Sequence, residues 1–215
     1  MIRYLKEMAY FLSLMLLTTG AFANTSEVKR YNFKVFLEDK EIGSHRFTVT
    51  LFGEKTYVKS EASFDVKILF ISAYNYQHTS NEEWQGECLR SIFATTDDNG
   101  EERFVHGQYD KEHLLLSTSI GKRKLDGCIR TYAYWNPEYL RSQRLLNPQT
   151  GKLEPVNLEL LGASLIDVRG ETEQANRYRI NNDKFKIDLW YSDQKEWLAL
   201  ESTTENGSRL RYQVQ

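Results

Sequence analysis

From Tyr31 onward, apolar and polar residues alternate one by one, and this rhythm constrains the chain more than anything else in it. Tyr31, Phe33, Val35 and Leu37 fall on one side of an extended backbone, with Asn32, Lys34 and Glu38 opposite. Successive side chains of a strand point to opposite faces, so the pattern demands a sheet with one covered face. After the turn EDKEIG, His45, Phe47, Val49 and Leu51 repeat the pattern against Arg46, Thr48 and Thr50. A third strand follows near Tyr57 to Phe64, after FGEK. VKILFISAYNYQH, Val66 to His78, reads as one long strand. ECLRSIFATT ends at Asp97-Asp98-Asn99-Gly100, and Asn-Gly is the strongest short hairpin signal.

ERFVHGQYD, EHLLLSTSI and CIRTYAYW continue the strands. Near the C-terminus, Phe185, Ile187, Leu189 and Tyr191 alternate against lysines and Asp188. Trp197 to Thr203 returns after SDQK, and Glu205-Asn206-Gly207 turns into Leu210, Tyr212 and Val214. Such regular spacing predicts a mainly β fold, a single curved antiparallel sheet or an open barrel. One interruption stands out in YAYWNPEYLRSQRLLNPQTG. Asn136 suits an N-cap and Pro137 a first helical position, so a short helix over about 137–146 is expected, stopped by Asn147-Pro148. An active-site loop is the competing reading of this stretch.

The first 23 residues read as a cleaved signal peptide. Arg3 and Lys6 precede the apolar run Met8 to Leu17, and Ala21-Phe22-Ala23 offers small residues at the cleavage positions. The run is shorter than the roughly 20 residues a permanent span requires, so no membrane span is expected after cleavage. Residues 24–215 are left as one antiparallel β domain in the periplasm. The formal net charge is −2, evenly interspersed, with no basic stripe for nucleic acid and no polybasic membrane patch. In an oxidising compartment the two cysteines, Cys88 and Cys128, most often form a disulfide. Metal binding is the weaker rival, because C-x-x-C spacing is missing.

Catalytic signatures fail on inspection. There is no G-x-S-x-G elbow and no glycine-rich phosphate loop, so no catalytic residue, cofactor or metal is assigned. Carboxylate pairs such as Glu82-Glu83 are read as solvated turn residues. His106 and His113 could face each other across a hairpin near Asp110 and Glu112, and His78 reads as a solvated strand end. His45 falls on the apolar side of its strand, either as a hydrogen-bonded core residue or inside a ligand cavity. Four tryptophans and thirteen tyrosines exceed what a minimal core needs. Tyr132 and Tyr134 share one side of their segment and Ala133 and Trp135 the other, so both sides are apolar. Such a sheet is covered on both faces or lines a cavity. His45, Tyr132, Trp135, Leu146 and Trp190 are the candidate ligand-binding residues.

W-x-G-x-C-L at Trp84 to Leu89, the TTDDNG turn, Y-W-N-P at Tyr134 to Pro137, L-L-N-P-Q-T-G at Leu145 to Gly151 and L-W-Y at Leu189 to Tyr191 form an ordered set. In that order they resemble an exported bacterial family classed only as a domain of unknown function. The resemblance runs from about Tyr31 to Tyr212 and implies no activity or site residues. A looser similarity, at fold level, is to the periplasmic lipoprotein carriers, whose sheet curls around a short helix and holds acyl chains. The shared features are the IG turn, the PEYLRSQRLL insertion and the closing D-L-W-Y hairpin. The expectation is a periplasmic protein whose β-sheet hollow binds an apolar or lipid-like small molecule. An envelope hydrolase or isomerase, and a non-catalytic protein-interaction module, are the alternatives.

Overall fold

The computed structural model describes residues 26–215, except 69–70 and 205–206. The expected signal peptide therefore lies outside the described residues. Eight strands follow one another as an antiparallel meander: β1 (Glu27–Leu37), β2 (Lys40–Phe52), β3 (Lys55–Ile68), β4 (Ile71–Gln85), β5 (Cys88–Asp98), β6 (Glu101–Tyr109), β7 (His113–Thr118) and β8 (Gly121–Asp126). A small pair follows, β9 (Arg144–Leu146) with β10 (Leu153–Pro155). The second meander is β11 (Asn157–Val168), β12 (Glu171–Asn181), β13 (Lys186–Tyr191), β14 (Trp197–Thr203) and β15 (Arg209–Val214). The last strand pairs with the first, Val35 opposite Tyr212, and fuses both meanders into one 13-stranded sheet. Its edges are β8 and β11, so the sheet is not closed into a barrel.

Alternation explains which side each strand buries. Tyr31, Phe33 and Val35 are buried, while Asn32 and Lys34 between them are exposed. Part of this interior is solid. The Phe33 ring lies 4.3 Å from that of Trp197, and Phe47 lies 5.1 Å from it. A second aromatic cluster joins Trp84 to Trp135 at 5.8 Å and to Tyr139 at 5.3 Å.

Three local expectations give way. VKILFISAYNYQH is a hairpin rather than one strand, because Ile68 pairs with Ile71 and Val66 with Tyr74. CIRTYAYW leaves the sheet after β8 and crosses its interior as irregular chain, which is why both of its sides are apolar. PEYLRSQRLL forms no helix. Asn136 does cap locally, its side-chain oxygen accepting from the Glu138 N–H at 3.1 Å, but only successive turns follow before β9. Tertiary bonds claim this backbone instead: Arg130 donates to the Arg141 carbonyl at 2.8 Å, the Val156 N–H to that of Gln143 at 3.0 Å, and the Leu146 N–H donates to the Arg130 carbonyl at 2.8 Å. The Asn99-Gly100 hairpin forms as expected, both residues having positive φ.

The Cys88–Cys128 disulfide joins the start of β5 to the start of the crossing segment, with Cα atoms 5.0 Å apart. Closing its 40-residue loop is worth about 4 kcal/mol on the chain-entropy model. One glycine is sterically obligatory. At Gly43, beside the β1–β2 bulge, a Cβ would sit 2.0 Å from the Ser63 carbonyl oxygen across the β2–β3 pairing. Gly43→Ala must separate two central strands, and it should lower stability by at least about 2 kcal/mol in urea titrations.

Candidate functional site

The crossing segment does not fill the curve of the sheet, and a cavity of about 900 Å³ remains. Strands β2, β3 and β4 form one wall, β13 to β15 the opposite wall, and residues 131–135 with 147–149 the side between. Val58, Ala62, Phe64, Ile187 and Leu200 give much of the surface its apolar character. Exposure falls along β4 from Tyr74, 36 % exposed, to fully buried Trp84. The eight residue steps from Tyr74 to Glu82 give this wall a length of about 27 Å at extended-strand rise.

A polar line runs down this apolar hollow. His45 Nε2 lies 2.7 Å from Ser60 Oγ, and its Nδ1 lies 3.3 Å from the Tyr212 hydroxyl. His78 Nδ1 lies 2.8 Å from Thr96 Oγ1. Ser80 is 2 % exposed, and its hydroxyl is buried without a hydrogen-bond partner. Glu82, 8 % exposed, accepts at Oε2 from Trp84 Nε1 at 2.9 Å and from Thr131 Oγ1 at 3.2 Å. At the crossing segment, Glu154 accepts from the Tyr132 hydroxyl at 2.5 Å and from Asn147 Nδ2 at 3.2 Å. No lysine or arginine lines the cavity among the described residues.

Burial sets the protonation of these groups. It pushes His45 down to about 3, helped by His78, and His78 down to about 4, so both rings are neutral at neutral pH. It pushes Glu82 up to about 7, against the two hydrogen bonds that favour its anion. The Ser60–His45 contact has the spacing of a nucleophile and base. However, both ring nitrogens of His45 are occupied by hydroxyls, so no carboxylate orients the ring, and an imidazole this hard to protonate is a poor base.

The structure distributes the sequence-derived candidates unevenly. His45, Tyr132 and Trp135 line the hollow. Leu146 is fully buried but forms the floor of β9, bridged to Thr131, and does not reach the cavity. Trp190 lies on the outer face, where Arg177 stacks over it and its Nε1 donates to Ser164 at 3.0 Å. His78 is a buried lining residue rather than a solvated strand end, and Glu82-Glu83 is strand rather than turn. Glu82 points in, whereas Glu83 points out to Lys55 at 2.8 Å. Ser60, Ser80 and Tyr212 went unnoticed, although the period-2 count from Tyr76 already puts 78, 80, 82 and 84 on one side. His106 and His113 do not face each other. His106 pairs with Ser117 and sits between the Phe93 and Phe104 rings, while His113 Nδ1 is 2.7 Å from Asp126. Among the described residues, no three His, Cys, Asp or Glu side chains converge to hold a metal, and no helix is long and apolar enough to cross a membrane.

An open antiparallel sheet curved around an irregular crossing segment, with a long apolar hollow between them, defines the class of protein. The chain belongs to the DUF6134 family, a domain of unknown function, which matches residues 33–215. No curated protein matches it.

The buried groups give stability an uncommon pH dependence. Unfolded, each histidine takes up a proton near 6.5; folded, His78 does so only near 4. The unfolded state thus binds more protons in that window, and stability falls as pH drops through it. Glu82 has the opposite sign, because the folded state keeps its proton up to about 7 and its contribution weakens as pH rises from 4.5. His78→Gln should remove about 1.4 kcal/mol per pH unit from the slope between pH 6.5 and 4. Glu82→Gln should flatten the fall above pH 4.5. Chemical denaturation across pH measures both.

Proposed function

We propose that this is a periplasmic protein, exported through a cleaved signal peptide, that binds an apolar or lipid-like ligand in the hollow of its sheet. The observation that carries the reading is the 900 Å³ cavity, walled by apolar side chains from both meanders. Small-molecule sites occupy roughly 300–1,000 Å³ and are mostly apolar with a few placed polar groups, and this hollow has both properties. Protein interiors otherwise pack nearly as closely as an organic crystal, so apolar walls held this far apart leave room for a guest. A ligand with a long apolar body would meet apolar side chains on both walls.

The hydrolase or isomerase reading draws on the Ser60–His45 pair alone, and the weak basicity of that ring counts against it. A pure interaction module gives no reason for the hollow.

Native mass spectrometry and organic extraction of the purified protein should recover an apolar compound. Ala62 lies between His45 and His78 in the strand register and is buried in the cavity wall. Ala62→Trp should occupy the space, abolish uptake of a fluorescent acyl probe and preserve the β circular-dichroism spectrum. A wild-type protein that carries nothing and takes up no probe would overturn the proposal.

A further inference from the structure

The closed end of the hollow is more polar than a site for plain hydrocarbon needs to be. Glu82, Ser80 and His78 occupy alternate positions of β4 and so project on the same side. The Glu82 carboxyl is buried with no cation beside it; its two bonds, from Trp84 and Thr131, both go to Oε2. The Ser80 hydroxyl is buried and unpartnered, a state that costs the full desolvation of the group. His78 uses Nδ1 for Thr96, leaving Nε2 as its nitrogen for the hollow. Three polar groups lacking complete partners thus follow one another along the same side of β4, beside an apolar channel.

We propose that this end is a head-group subsite for an amphiphile, and that it selects a hydrogen-bond-donating head without negative charge. The proposal rests on the ligand-binding reading above. A donor head completes the free acceptor capacity of Glu82 and bonds to the Ser80 oxygen. An anionic head would meet Glu82, then Glu154 further along, and no lysine or arginine among the described residues to offset them. The other titratable groups facing this space are Glu154, His45, His78 and the hydroxyls of Tyr74, Tyr76, Tyr132, Tyr134 and Tyr212. The neighbours of Glu82 across the strands are apolar, Val58 on β3 and Ile92 on β5. Burial raises every one of these tyrosines and lowers both histidines, whereas it brings Glu82 up to about 7.

The test compares three probes of one chain length, dodecylamine, dodecanol and dodecanoate, by displacement of a fluorescent acyl probe. At about pH 8, where Glu82 is ionised, the amine should bind at least about tenfold tighter than the carboxylate, with the alcohol between them. The preference should shrink at about pH 5.5, as Glu82 takes up its proton. Glu82→Gln keeps an acceptor for Trp84 and Thr131, and it should abolish both the preference and its pH dependence. Ser80→Ala should weaken amine and alcohol severalfold without lowering the thermal midpoint, because it deletes a group that has no partner in the free protein. Dodecanoate binding as tightly as the amine, or an unchanged preference in Glu82→Gln, would overturn the subsite while leaving the hollow as a binding site. Failure of all three probes to bind would take the ligand-binding reading down with it.

Discussion

An irregular stretch of backbone inside a sheet must find hydrogen-bond partners other than its own neighbours, and the architecture depends on how the segment after β8 does so. Leaving the sheet at one edge and rejoining it at the other, it has to cross the interior, where an unpaired amide or carbonyl is costly. The partners come from both meanders. The Leu89 N–H donates to the Ile129 carbonyl at 2.9 Å, and the Tyr191 hydroxyl donates to that of Tyr134 at 2.7 Å. Lys195 reaches Glu138 from the far side, and the Cys88–Cys128 bond fixes the starting point. Held at both ends, the segment spans the curve of the sheet like a strut. The hollow is the space it does not occupy.

The same confinement explains the electrostatics. Asp188 and Glu82 are both little exposed, but they stand on opposite faces of the sheet and behave differently. Burial raises Asp188 too, yet hydrogen bonds from Arg179 and Arg177 outweigh it and hold the carboxyl below its usual range. On the inner side no guanidinium among the described residues is within the cavity wall, so for Glu82 burial prevails. Position relative to cations, more than burial, separates a structural ion pair from a poised acid.

Alternation made the sheet legible, because one covered face forces a period of two on every strand. It located the β1–β2 hairpin, the Asn99-Gly100 turn and the strands around Leu189, Leu200 and Tyr212. It was silent where both faces are covered, and there the reading slipped. Ile129 to Trp135 is apolar on both sides because it is enclosed, and Val66 to His78 holds no glycine, proline or Asn-Gly pair to divide it. The missing helix has another cause: Asn136-Pro137 is a sound local signal, but bonds to Arg130 and Val156 offer the backbone of the segment a better alternative. In the site, Tyr132 and Trp135 were visible as surplus aromatics. Trp190 was misplaced although its even number sets it with Asp188, on the side away from Leu189. Glu82 and Ser80 were hidden by type, since acids and serines are normally solvated and only tertiary enclosure makes them otherwise.

The seam between β1 and β15 has a kinetic meaning. Residues about 180 positions apart in sequence complete the ladder at the middle of the sheet, with Phe33 opposite Val214 and Leu37 opposite Leu210. Each half can zip up from local turns, but their union waits for the final strand to arrive, and pairings this remote in sequence are slow to form. Until then β1 and β14 each present a bare rim of amides and carbonyls beside the aromatic interior. A chain caught at that stage would be sticky, so its safety during maturation rests on how quickly those last few residues dock.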